Sequence, residues 1–317
     1  MKTLIICLVI LLAIIILLIL AFLVIGHLMF KLSFSRKDPA KEEQNRTVND
    51  PDIKILEDLD FVKEHDKDFK EVFIKAYDGI NLAAKTLTSK NKSHKYVIFF
   101  HGYRGNIINE FSLSGHTFYD KNYNLIFVEE RGNWNSGSNY FTMGPKESLD
   151  AISWINYLVN KDSDSEILVF GHSMGAHIVL LTLKYNLPKN VKCVIGDCGY
   201  NSLHDQIVHT AKDMLKLPCA KLMVWIGETY AHLFHKMHFN ETVSDSVKNN
   251  MLPVCLIHGT NDHFVPFYNE DIIYKSFNKD CYVEKHVFEG AAHCCSEAKD
   301  LARFHQIITT FADKYIQ

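Results

Sequence analysis

Residues 171–175 read Gly-His-Ser-Met-Gly. A serine hydroxyl is a poor nucleophile near neutral pH, and it becomes useful only when a base takes its proton and an acid orients that base. Glycines two positions either side of Ser173 let a strand and the next helix crowd into a very tight turn from which the hydroxyl protrudes. The apolar run Ile-Leu-Val-Phe at 167–170 supplies such a strand, and Met-Gly-Ala-His-Ile-Val-Leu-Leu from Met174 supplies the helix. His172 and Met174 then occupy the variable positions of the turn between Gly171 and Gly175. Downstream come an acid and an imidazole: Asp262, in the loop GTNDHFVP after the run PVCLIH, and His293, in a small-residue turn GAAH after YVEKHVF. Serine, carboxylate and histidine in this order carry acyl transfer by nucleophilic attack and proton shuttling. Asp197, which follows another apolar run, is a second candidate for the acid.

These side chains converge only if the right elements hold them. EVFIKA (71–76) and NLAAKTL (81–87) flank Tyr77-Asp78-Gly79 and read as a hairpin. YVIFF (96–100), NLIFV (124–128), ILVF (167–170), VKCVIG (191–196) and PVCLIH (253–258) are short, continuously apolar runs ending at glycine or polar residues. Parallel strands covered on both faces have that pattern. Amphipathic stretches such as 145–160 and 174–186 lie between them, so the chain is α/β, with a mostly parallel, doubly wound sheet. Ser173, Asp262 and His293 then fall in loops at one edge of that sheet, where such folds build their sites. Residues 200–250 hold helix-like pieces and no strand, which marks a cap insertion. Its aromatics Trp225, Tyr230, Phe234 and Phe239 either line an apolar acyl pocket or pack between cap helices, and packing is the commoner role.

Six segments occur in an order that resembles the α/β-hydrolase superfamily of serine esterases and lipases: HGYRGN (101–106), ERGNWNSG (130–137), GHSMG (171–175), GDCGYNS (196–202), GTNDHFVP (259–266) and GAAH (290–293). The chain is most similar to single-domain bacterial hydrolases related to the prolyl oligopeptidase catalytic domain. The resemblance implies Ser173 as nucleophile, His293 as general base and Asp262 as the orienting acid. It implies an oxyanion hole made by the backbone N–H groups of Tyr103 and Met174. Glu130, where relatives usually carry Asp, is expected to hold its loop. Ala176 stands where glycine is common, and Cys294 and Cys295 directly after the histidine are a departure: either they merely start the last helix, or a thiol there makes activity sensitive to oxidation. No cofactor is implied.

The N-terminus adds a separate element. Leu4 to Ile25 contains no charge and exceeds the roughly 20 apolar residues that cross a bilayer as a helix. It is too long for the core of a cleavable signal. The expected organisation is a transmembrane anchor over 1–30, a juxtamembrane linker over 31–60 and a hydrolase domain over 61–317, with the cap at about 200–250. Lys2 lies before the apolar run and Lys31, Arg36 and Lys37 after it, a weak lean toward a cytoplasmic catalytic domain at the cell membrane. Eight cysteines, one of them in the anchor, agree better with reduced thiols than with a disulfide framework. A formal charge of −3 and no basic aromatic groove exclude a nucleic-acid partner. His232, His235 and His238 recur every three residues but lack the accompanying acid of a zinc motif, so no metal is expected. The expected activity is cleavage of a small-molecule or lipid carboxylic ester through an acyl-enzyme. Two alternatives stand beside it: a peptidase or thioesterase acting on peptides or acylated proteins, and a noncatalytic binding protein on the same fold. Oligomeric state is not legible.

Overall fold

The apolar runs become the strands of one eight-stranded sheet in a computed structural model that describes residues 1–37 and 59–317. β1 (Lys70–Lys75) and β2 (Asn81–Leu87) form the antiparallel hairpin, pairing Lys75 with Asn81 across the turn. β3 (Lys95–Phe100), β4 (Asn124–Glu129), β5 (Glu166–His172), β6 (Val191–Asp197), β7 (Val254–Gly259) and β8 (Val283–Phe288) follow. The order across the sheet is β1-β2-β4-β3-β5-β6-β7-β8, and every pair from β4 to β8 is parallel.

Between the strands run α2 (Ser112–Asp120), α3 (Pro145–Lys161), α4 (Met174–Leu181) and α6 (Tyr268–Ser276), and α7 (Leu301–Tyr315) follows β8. Every residue of β4 and of β7 is buried, which explains why these strands read as unbroken apolar runs rather than alternating ones. β8 at the edge is only half-buried and carries Glu284, Lys285 and His286, charges that blunt an otherwise open strand edge. Phe99, Phe111, Phe118, Phe127 and Phe170 fill a core on one face, to which α7 adds Phe304, Ile308 and Phe311.

The chain divides into two compact units, Arg36–Leu203 with Glu241–Gln317, and Met1–Ser35 with His204–Asn240. The first is the eight-stranded sheet with its helices. The ends of the inserted segment are stitched within it by a bridge between Ser202 and Thr242 and by Val243 N–H donating to Asn201 O at 2.9 Å. The second unit joins α1 (Lys2–Ser33) to α5 (Ala220–His235). This division differs from the organisation expected above, because the cap segment clusters with the N-terminal helix. The reason is packing. Gly26 abuts Tyr230 so closely that a Cβ there would lie 2.6 Å from the tyrosine side chain. Phe30 stacks on His235 at 3.6 Å, and Phe34 meets Phe239 edge-on. Tyr230 and Phe239 thus pack on α1 rather than between cap helices, while Trp225 and Phe234 stay exposed.

Helix α1 continues to Ser33, past the expected end of the anchor, and Arg36 then bonds to the carbonyls of Trp134 and Ser136. The rest of the expected linker falls on 38–58, outside the described residues. Side chains from Leu4 to Leu20 are exposed along α1, so that stretch has no protein partner among the described residues. The helix is long and apolar enough to span a membrane.

Candidate active site

β5 ends at His172, and the chain reverses into α4 within one residue. Ser173 occupies that residue with φ +51° and ψ −112°, a conformation costly for a non-glycine side chain. The flanking glycines make the turn feasible. A Cβ on Gly175 would lie 2.0 Å from Phe100 O, and one on Gly171 would lie 2.3 Å from the Gly175 carbonyl. The serine hydroxyl is therefore displayed at the helix N-terminus, where the Met174 N–H has no intrahelical acceptor.

Asp262 and His293 arrive from the loops after β7 and β8. A Cβ on Gly259 would lie 2.3 Å from Ala291 O, and Asn261 N–H donates to that same carbonyl at 3.0 Å, so the two loops are pressed together. The result is a linear relay. His293 Nε2 lies 2.8 Å from Ser173 Oγ, and His293 Nδ1 lies 2.7 Å from Asp262 Oδ2. The other carboxylate oxygen of Asp262 accepts from the N–H groups of Phe264 and Val265 at 2.9 and 2.8 Å. Burial would raise the Asp262 pKa, but hydrogen bonds from His258 and His293 overcome it and hold the group at about 2. His293 is moved the other way: burial opposes its charge, yet Cys294 and Asp262 hold its pKa well above the ordinary histidine value.

Asp197, the rival acid, does not reach His293. It is buried at the end of β6, accepts from Ser296 Oγ at 3.3 Å and faces His172 Nε2 at 3.6 Å. Burial pushes it up to about 7. Tyr103 follows Gly102, which lies close enough to Ser173 that a Cβ there would sit 3.6 Å from Ser173 Cβ. The loop carrying Tyr103 is held by Gly102 N–H donating to Glu110 Oε2 at 2.7 Å and by a buried ion pair between His101 and Glu130. Burial lifts Glu130 to about 7, against the pull of His101.

Two supporting residues had no signal in the sequence reading. His258, wholly buried on β7, puts Nε2 at 3.1 Å from Asp262 Oδ2 and 2.9 Å from Val265 O. Its Nδ1 faces Glu270 of α6 at 3.7 Å, and the two carboxylates raise it to about 9 although burial opposes the charge. Arg131 is the second: its guanidinium grips Asp150 of α3 at 2.6 and 2.5 Å and Asp78 in the hairpin turn at 2.9 Å.

The cap histidines serve packing. His235 stacks on Phe30, and His232 bonds to Met237 O through Nδ1 at 3.1 Å with its ring 5.1 Å from that of His238.

Residues 109–317 match the prolyl oligopeptidase family. The chain is 24% identical over 224 residues to the uncharacterised protein YqkD of Bacillus subtilis, covering 68% of this chain and 70% of that one. Its fold is shared with the Pyrococcus furiosus esterase Pf2001 (TM-score 0.65, 23% identity, 81% of this chain and 94% of the other). It is also shared with a Mycobacterium tuberculosis puromycin-hydrolyzing peptidase (TM-score 0.61, 17% identity, 78% and 39%). With 209 of its 317 residues inside the family's span, this α/β-hydrolase belongs to the prolyl oligopeptidase family.

Proposed function

We propose that the protein is a membrane-anchored serine hydrolase that cleaves carboxylic esters. The observation that carries this reading is the unbroken relay from Ser173 Oγ through His293 to an ionised Asp262. In the reaction, His293 Nε2 takes the hydroxyl proton as Oγ attacks the carbonyl carbon. The oxyanion is met by the Met174 N–H, at the positive end of α4, and by the Tyr103 N–H. Asp262 stays charged, fixes the Nδ1–H tautomer and stabilises the imidazolium. His293 then returns the proton to the leaving alcohol, and water, deprotonated by the same nitrogen, releases the acid.

Incubating the full chain in detergent with a fluorophosphonate probe tests this. Labelling is expected in the wild type and absent in Ser173→Ala, with p-nitrophenyl ester turnover falling by about 10⁴-fold or more. Equal labelling of the variant would remove Ser173 from the role.

The family match and the peptidase of similar fold favour a second reading, cleavage of amides. It predicts turnover of a peptide amide within about tenfold of its ester analogue, whereas the ester reading predicts a far larger gap. Anchoring is supported by α1, whose 32 residues measure about 48 Å against a hydrocarbon core of roughly 30 Å. A tether to lipid favours a membrane-proximal ester as substrate.

A further inference from the structure

Cys198 and Cys294 come from different strand-end loops, yet their sulfurs lie 3.3 Å apart. Cys294 directly follows the base, and Cys198 directly follows Asp197 at the end of β6. Both residues have left-handed backbone, with φ +55° and +50°, and Cys198 is pinned by its N–H donating to Ile257 O at 2.8 Å. Their exposures differ in a useful way. Cys198 is buried, 1% exposed, whereas Cys294 is only partly buried, so a small reagent meets Cys294 first.

We propose that Cys198 and Cys294 form a hydroperoxide-reactive dithiol site, whose closure to a disulfide withdraws His293 from Ser173. This rests on the reading of His293 as the base. Cys294 is the attacking sulfur: the bond from Cys198 and the neighbouring His293 hold its pKa well below that of an ordinary thiol, against the effect of burial. Cys198 is the resolving sulfur, kept protonated by burial and by Cys294.

The Cys294 thiolate attacks one oxygen of hydrogen peroxide. An S–O bond forms, the O–O bond breaks, and the departing hydroxide takes the proton of the His293 imidazolium to leave as water. Cys198 sulfur then attacks the sulfenic sulfur of Cys294. The S–S bond forms, the S–O bond breaks, and the leaving hydroxide takes the Cys198 proton as a second water. Two sulfurs together lose two electrons, and peroxide gains them. A disulfide is about 2.05 Å long, so the sulfurs close by roughly 1.3 Å. His293 is the residue bonded to Cys294, and a displacement of about 1 Å at a reacting group costs about 10²-fold in rate.

The test treats the reduced full chain in detergent with stoichiometric hydrogen peroxide. Three quantities are followed: fluorophosphonate labelling before oxidation, ester turnover, and the disulfide map by peptide mass. The expected product joins the tryptic peptides 193–212 and 286–299, with fragment ions placing the bond at Cys198 and Cys294. Turnover falls about 10²-fold and returns with dithiothreitol. Cys198→Ser keeps its turnover before oxidation and forms no crosslink, and Cys294 in that variant remains trappable by dimedone as a sulfenic acid. A map without the 198–294 bond, a bond between Cys294 and Cys295 in its place, or a crosslinked enzyme that keeps full turnover overturns the proposal. Absence of fluorophosphonate labelling in the reduced protein would instead overturn the hydrolase reading, since the crosslink is read by mass alone.

Discussion

His293 takes its raised proton affinity from two neighbours, the Asp262 carboxylate on Nδ1 and the adjacent Cys294 thiolate. Both stabilise the imidazolium, which in the proposed mechanism helps once the proton has been taken but keeps His293 charged at rest to higher pH. A general base works only when neutral, so kcat/KM is expected to rise with pH through a limb lying above the usual histidine value of about 6.5. Asp262, held at about 2, stays ionised throughout that limb. Replacing Cys294 with serine removes one source of the raised affinity. The limb of a kcat/KM profile should move to lower pH in Cys294→Ser, and an unmoved limb would mean that the thiol does not act on the base. His258 differs in kind: it touches Asp262 from the buried side and acts on the base only through that carboxylate.

At the scale of elements, the site depends on backbones that touch where side chains would ordinarily stand between them. Gly175 permits α4 to meet the end of β3, and Gly259 permits the loop after β7 to meet the turn before His293. A methyl at Gly175 would stand 2.0 Å from Phe100 O, a rigid strand carbonyl with no room to yield. Gly175→Ala is therefore expected to lower stability by about 3 kcal/mol or more, read as a reduced denaturant midpoint, with loss of fluorophosphonate labelling. The strands and the turn around Ser173 were legible because apolar runs, glycine spacing and the order serine, acid, histidine are local patterns. The anchoring of those loops was not. Glu110 holds Gly102, His258 meets Glu270 and Arg131 meets Asp150 through contacts between elements, and no periodicity or spacing marks such pairs in one sequence. Cys198 and Cys294 illustrate the same limit, for 95 residues separate two sulfurs that touch. Nor could hydropathy foretell that the last turns of α1 would pack on α5, because the apolar residues of a bilayer span and of a helix interface look alike.

At the scale of the whole molecule, α1 is the helix on which the proposed anchoring rests. The full chain is expected to stay in the membrane pellet after an alkaline carbonate wash. Lysine at Leu11, Ile15 and Leu18 costs about 9 kcal/mol in total at the bilayer centre, comparable to the favourable insertion energy of about 20 apolar residues. The triple variant should move to the supernatant, and a wild type that washes off would refute the anchor.

Because Gly26 and Met29 seat against Tyr230 and Gly227, and Phe30 covers His235, the last turns of α1 are part of a folded unit as well as the end of a helix long enough to span a membrane. A soluble form cut in the segment after the anchor would lose that cover and bare a small-residue seam on α5 beside Leu222, Trp225, Leu233 and Phe234, which are already exposed. Such a fragment would self-associate, so a well-behaved soluble enzyme has to begin near Phe22, keeping the seam's lid and discarding only the exposed apolar stretch before it.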